Sequence, residues 1–374
     1  MKKLTTITLS LWMLTSLALA QKGGMIPMSP DNWTFNEETV SFTEHLGVPA
    51  IYSNSDNPIF SINNMEFENG IIEYDVIQDE AVFLFVYFRE ESEQEKEAFY
   101  LRPYRAGDPK GPDALQYTSI NKGITMWDMH GHYQGPGNIK PEGWNHIKLV
   151  ISGNQMLAYV NDMDKPALVI PHLEGEAKSG EISFQGKGYY ANVSIRPNEV
   201  EGLSPESGPD PTYHDPHYLR AWEVSEVFPF PFGEDLTDRT IPADSSSWEP
   251  IQAERMGLIN LTRKYGSGRT EETGRSIAWI KTTIMSEEKQ VRKLQLGFSD
   301  EVWVLINKQL LYLDKNYYNS PIMKPPYGRI SIENTTIDLP LQKGENEIMI
   351  GVGNFFFGWG IIARLDRVDG LSFP

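Results

Sequence analysis

Short runs rich in Val, Ile, Phe and Tyr recur along the chain between clusters of Gly, Pro, Asn and Asp. Examples are "IIEYDVI", "AVFLFVYF", "HIKLVIS", "QMLAYVN", "SIAWIKTTIM", "EVWVLIN" and "NEIMIGVGN". No stretch sustains the 3.6-residue apolar period of an amphipathic helix. Such a chain buries its apolar side chains by stacking antiparallel sheets, so the expected fold class is all-β, built as β-sandwiches. Turn chemistry agrees: "SGNQ" (Ser152 to Gln155) reads as a hairpin turn between two of these runs.

The pattern breaks once. Between Arg196 and Tyr218 lie Pro197, Pro205, Pro209, Pro211 and Pro216, which exclude a central strand or a helix there. Residues 198–218 are therefore expected to be a proline-rich linker, packed in part through Tyr213 and Tyr218. It separates a first sandwich over 34–197 from a second over 219–374.

The chain opens with Lys2 and Lys3, an apolar run from Leu4 to Leu17, and Ala18-Leu19-Ala20. This order reads as a secretory signal peptide over residues 1–20, cleaved before Gln21. Later segments fall short of the roughly 20 apolar residues of a membrane span, so no membrane insertion is expected after cleavage. With no cysteine in the chain, secretion without disulfides points to a bacterial envelope: secreted, periplasmic or at the cell surface. The formal charge is −18, or −20 once Lys2 and Lys3 are removed. A surface this acidic repels phosphate backbones and anionic lipid, which argues against nucleic acid as a partner and leaves room for neutral sugars.

Residues 34–197 resemble concanavalin A-like jelly rolls of the laminin-G and 3-keto-disaccharide hydrolase type. The resemblance is carried by "FENGIIEYDV" (Phe67 to Val76), "AFYLRPYRAG" (Ala98 to Gly107), "EGWNHIKLVISGNQMLAYVND" (Glu142 to Asp162) and "SGEISFQGKGYYANVSIRP" (Ser179 to Pro197). Residues 219–374 resemble the galactose-binding-like jelly rolls attached to many secreted glycoside hydrolases, through "WEVSEVFPFPF" (Trp222 to Phe232), "LGFSDEVWVLINKQLLY" (Leu296 to Tyr312) and "LPLQKGENEIMIGVGNFFFGWGIIARL" (Leu339 to Leu365). Both resemblances imply tandem jelly rolls and a carbohydrate partner, and neither implies a particular activity, because the same sandwich serves lectins, enzymes and adhesion modules.

Laminarinase-type members of the first family carry Glu-x-Asp-x-Glu, or a bulged form with one more residue, on one strand. Glu73 and Asp75 match the first two positions, but residue 77 is Ile and residue 78 is Gln. Gln cannot donate the proton that a leaving glycosidic oxygen needs. Asp79 and Glu80 lie beyond the motif. The expectation is a non-catalytic strand with Glu73 and Asp75 facing water and Ile72, Tyr74 and Val76 facing the core.

Other groupings carry weaker chemistry. His130 and His132 form a His-x-His pair of a spacing that zinc sites use on strands, with Asp128 the only close carboxylate; in a loop they read as solvated. Should the chain hydrolyse glycans, its acid and base would come from Glu73, Asp75, His130 or His132. "FYLRPY" sends Tyr100, Arg102 and Tyr104 to one side of a strand. With Gln116, Tyr117 and Trp127 they are the candidate sugar platform, where rings stack on a pyranose and polar groups bind its hydroxyls. In the second block Tyr317, Tyr318 and Trp359 are the ligand candidates, and "GNFFFGWGI" divides its rings between the core and a loop-end surface. Asp300 and Glu301 are candidates for holding a structural calcium ion; no other cofactor is expected. The chain lacks a Gly-x-Ser-x-Gly elbow, a Walker A loop and a His-Glu-x-x-His motif. The leading expectation is a carbohydrate-binding protein recognising a neutral glycan. A glycan hydrolase resembling the 3-keto-disaccharide type, and a structural cell-surface module, are the alternatives.

Overall fold

A computed structural model describes residues 23–237, 240–243, 245–269 and 274–373; the expected signal peptide lies outside them. The all-β expectation holds. The chain forms two β-sandwiches, each of two antiparallel sheets.

In the first sandwich one sheet runs in the order Leu168–Ile170, Gln155–Val160, Asn145–Ser152, Gly70–Gln78, Gly188–Pro197, Val48–Ser53 and Val40–His45. The facing sheet runs Ile124–Thr125, Leu115–Asn121, Glu95–Leu101, Leu84–Ser92, Glu181–Gln185, Ile59–Ile62 and Trp33–Thr34. A short strand Gly24–Met25 joins Gly188–Pro197, so the sandwich reaches back to Gly24. Alternation decides the layers: Ile72, Tyr74 and Val76 enter the core, where they meet Val86, Phe99, Leu115, Tyr117 and Phe184 from the other sheet. Successive strand side chains point to opposite faces, and Glu73 and Asp75 accordingly stand outside.

The second sandwich pairs a sheet ordered Glu249–Gln252, Ala221–Pro229, Ser276–Ser286, Gly344–Asn354, Glu301–Ile306 and Gln309–Lys315 with one ordered Leu258–Asn260, Gly360–Leu365, Gln290–Ser299 and Thr335–Leu341. Its spine is the register running from Ser276 opposite Asn354 to Ser286 opposite Gly344. A helix Leu261–Tyr265, capped by Asn260 accepting from the Arg263 amide at 3.0 Å, is the only α-helix among the described residues. No described helix is long and apolar enough to cross a membrane.

The proline-rich segment is a strap bound to both sandwiches. Pro205 O accepts from the Asn154 amide at 2.9 Å. Gly153, at φ +52°, lies so close that a Cβ there would sit 2.3 Å from Pro205 O, which is why the hairpin carries glycine. From the other side, Arg255 donates to Gly208 O at 2.9 Å, Arg220 to Thr212 Oγ1 at 2.7 Å and Arg364 to Asp215 Oδ2 at 3.3 Å. Tyr218 packs against the interdomain cluster as expected, but Tyr213 is 66% exposed.

The sandwiches also touch directly. The segment 126–130 of the first enters the second: Met126 and Met129 pack with Leu258, Ile330 and Ile362, and the Ile330 amide donates to Asp128 O at 3.0 Å.

Candidate functional site

That inserted segment organises a cleft between the two sandwiches. Tyr100 and Gln116 lie opposite each other on neighbouring strands, and their side chains share the outer face of the sheet. Tyr100 donates to Gln116 Oε1 at 2.8 Å, Arg102 donates to the same oxygen at 2.6 Å and to Tyr100 Oη at 3.0 Å, and Gln116 Nε2 donates to Trp127 O at 2.6 Å. One polar network thereby fixes Trp127 above the strands. Phe83 and Phe85 extend the wall, Phe85 with its ring centroid 4.5 Å from that of Tyr100. From the second sandwich Tyr318 meets Trp127 edge-on at 4.7 Å and Phe357 does so at 5.7 Å, with Phe356 stacked on Tyr318 at 6.2 Å. The guanidinium of Arg329 lies 5.1 Å from the Trp127 ring. Together these groups enclose about 250 Å³, lined by Phe83, Phe85, Tyr100, Arg102, Thr125, Trp127, Tyr318, Phe356 and Phe357.

Four of the six platform residues expected from sequence are thus brought together, as parts of a walled cleft. Tyr100, Arg102 and Gln116 are buried, and Trp127 is 8% exposed beneath the second sandwich. Two are corrected. Tyr117 is adjacent to Gln116 on its strand, points into the core and donates to Glu97 Oε2 at 2.6 Å. Tyr104 follows Pro103, where the strand has ended at Leu101; it sits in a 3₁₀ turn and donates to Asp113 Oδ2 at 3.2 Å.

Of the second-sandwich candidates only Tyr318, 42% exposed, lines the cleft. Trp359 is a core residue, donating to Gly266 O at 2.8 Å. Tyr317 donates its hydroxyl to Glu301. Phe83 and Phe85 escaped notice in the sequence. Their signal was alternation in "AVFLFVYF", which puts Phe83, Phe85 and Tyr87 on one face.

The remaining candidates are engaged elsewhere. Glu73 pairs with Arg196 and lies 3.7 Å from His146 Nε2; Asp75 Oδ1 meets His146 Nδ1 at 2.6 Å, and its Oδ2 accepts from Asn192 at 2.7 Å. Asp79 accepts from the Tyr52 hydroxyl at 2.7 Å. These carboxylates neutralise neighbouring cations and leave no general acid among themselves. Asp300 and Glu301 diverge, Asp300 lying in the bend before the strand that Glu301 opens. Glu301 meets Arg275 and Lys315, each at 3.1 Å, while Asp300 Oδ2 accepts from the amides of Phe355 and Phe356 at 2.8 and 2.7 Å. Among the described residues no three His, Asp or Glu gather as a metal-ligating group. The His-x-His pair splits: His132 is exposed, whereas His130 is buried against expectation, because its segment is covered by the second sandwich.

Asp128 and Asp300 form a buried carboxyl pair across the interface. Ser299 Oγ stands 3.3 Å from Asp128 Oδ2 and 3.1 Å from Asp300 Oδ1. A hydroxyl has one hydrogen to give, so both contacts are hydrogen bonds only when one carboxyl carries a proton. Burial, and then the proximity of its partner, pushes Asp128 well above the carboxylate range, and burial pushes Asp300 up to about 7.

No family model matches the chain, and no curated protein matches it. Solved structures similar to it include the carbohydrate binding module CBM66 from Bacillus subtilis, at 15% identity over 43% of this chain and 93% of that one, with a TM-score of 0.30. Bacillus licheniformis beta-glucanase is similar at 11% identity over 48% of this chain and 100% of that one, with a TM-score of 0.34. A Bacillus subtilis protein of unknown function with a galectin-like fold is similar at 11% identity over 47% and 97%, with a TM-score of 0.34. Likeness at this level is to the fold alone.

Proposed function

We propose that the protein binds a neutral carbohydrate in the cleft between its two sandwiches, as a secreted or surface protein of a bacterial envelope. The observation that carries this reading is the combination of walls and floor. Rings of Trp127, Tyr318, Phe356 and Phe85 offer faces and edges to a pyranose, and Tyr100 and Arg102 offer hydroxyl and guanidinium groups already held in place. At about 250 Å³ the cleft is small beside the roughly 300–1,000 Å³ of drug-sized ligand pockets, so it suits a single ring or the end of a chain. Glu73 and Asp75 stand on the outer face of the other sheet, committed to Arg196, His146 and Asn192, and supply no chemistry to this cleft.

The test is calorimetric titration of the full chain with glycans selected on an array of neutral polysaccharides. Tyr318→Ala removes a partly exposed ring and should weaken binding about tenfold, from a loss of about 1–1.5 kcal/mol. Unchanged affinity in Tyr318→Ala and Phe356→Ala would place the sugar elsewhere.

A further inference from the structure

A second cavity of about 340 Å³ lies at the same interface, reached by Met129 and His130 of the inserted segment. His130 is 1% exposed, and neither of its ring nitrogens has a hydrogen-bond partner in the protein. The nearest rings, Tyr133 and His132, are 6.0 and 6.1 Å away between centroids. Buried polar groups are nearly always paired, and this one lines a cavity.

Its surroundings define what would satisfy it. Burial holds the imidazole neutral, so it presents one N–H donor and one bare nitrogen acceptor. Arg255 also lines the cavity; its terminal nitrogens donate to Gly208 O and Pro209 O at 2.9 and 3.0 Å, and its Nε is buried without a partner. Glu174 accepts from the Tyr133 hydroxyl at 2.8 Å, and burial raises its carboxyl to about 7. The opposite wall is mainly aliphatic, with Met129, Leu258 and Ile362, and carries one aromatic ring, Tyr218, packed against those side chains. Glu254, also in the lining, is paired with Arg263 at 2.7 Å, and Glu174 and Glu333 offset Arg255, so the cavity offers an anion no excess positive charge.

We propose that this cavity binds a small neutral molecule with an aliphatic body, whose terminal group donates and accepts hydrogen bonds at once, a hydroxyl or a primary amide, set against His130. This site is separate from the aromatic cleft and does not depend on the carbohydrate reading.

The test uses the full chain, with hexanamide, 1-hexanol and hexanoate as probes and the imidazole ¹⁵N resonances of His130 as the readout. The neutral probes should shift those resonances saturably, and hexanoate should bind at least tenfold more weakly. His130→Phe, which keeps the volume and removes the polar atoms, should weaken hexanamide about tenfold, and Tyr318→Ala, in the other cleft, should leave it unchanged. The proposal is overturned if neither neutral probe perturbs His130 saturably, or if hexanoate matches hexanamide. The wild-type titrations decide it alone should His130→Phe fail to fold.

Discussion

Replacing Asp300 by Asn tests the carboxyl pair at the domain interface. Asn keeps an oxygen for the Phe355 and Phe356 amides and carries permanently the neutral form that burial imposes. In the folded chain Asp300 is raised from 3.8 to about 7, so between those values the folded state keeps a proton that the unfolded chain has released. Stability contributed by this group is therefore complete below about pH 4 and is lost as the pH rises to about 7. The shift is roughly three units at about 1.4 kcal/mol each, or about 4 kcal/mol in all. Asp128 acts in the same direction, Glu301 adds repulsion, and Arg269, drawn toward both aspartates, opposes it. Other carboxylates titrate in wild type and variant alike, so the difference between the two isolates the pair. Urea unfolding followed by tryptophan fluorescence should show Asp300→Asn close to wild type at pH 4 and several kcal/mol more stable at pH 8. A difference that stays constant with pH, or a wild type that gains on the variant as pH rises, refutes the reasoning.

Trp127→Ala should lower stability by about 3–5 kcal/mol, as expected for a buried aromatic, and calorimetry should show the two sandwiches unfolding less cooperatively. Arg275→Met leaves Glu301 buried with Lys315 and Tyr317 as its remaining partners and should cost about 3–5 kcal/mol, read in urea unfolding at pH 7. The Asp75 carboxylate raises His146 above its usual 6.5. Its contribution is complete below pH 6.5 and is lost as the pH rises through the raised value, so His146→Gln should flatten that part of the stability profile.

Much of this architecture was legible from alternation. The pattern of "GIIEYDV" sends Ile72, Tyr74 and Val76 inward and Glu73 and Asp75 outward, because a strand has two faces and one is dry. The same rule separates Gln116 from Tyr117, and Pro103 marks the strand end that releases Tyr104. Contacts between the sandwiches were not legible. Met126 and Met129 carry no signal of their own, Trp127 reads as a ring of the sugar platform and not as a contact between sandwiches, and only the folded chain brings Ile330 and Phe357 against them. His130 was misjudged for the same reason: burial by a distant segment has no local periodicity.

Because segment 126–130 is seated in the second sandwich and the strap is bound to both, the two halves share one set of walls. A ligand gripped by Trp127 on one side and by Tyr318 and Phe356 on the other would then be a rivet. By reciprocity, whatever free energy it adds to holding the halves together returns as affinity. Tension applied across the two sandwiches would expel the ligand as it opened the joint, so affinity at the cleft would fall under load.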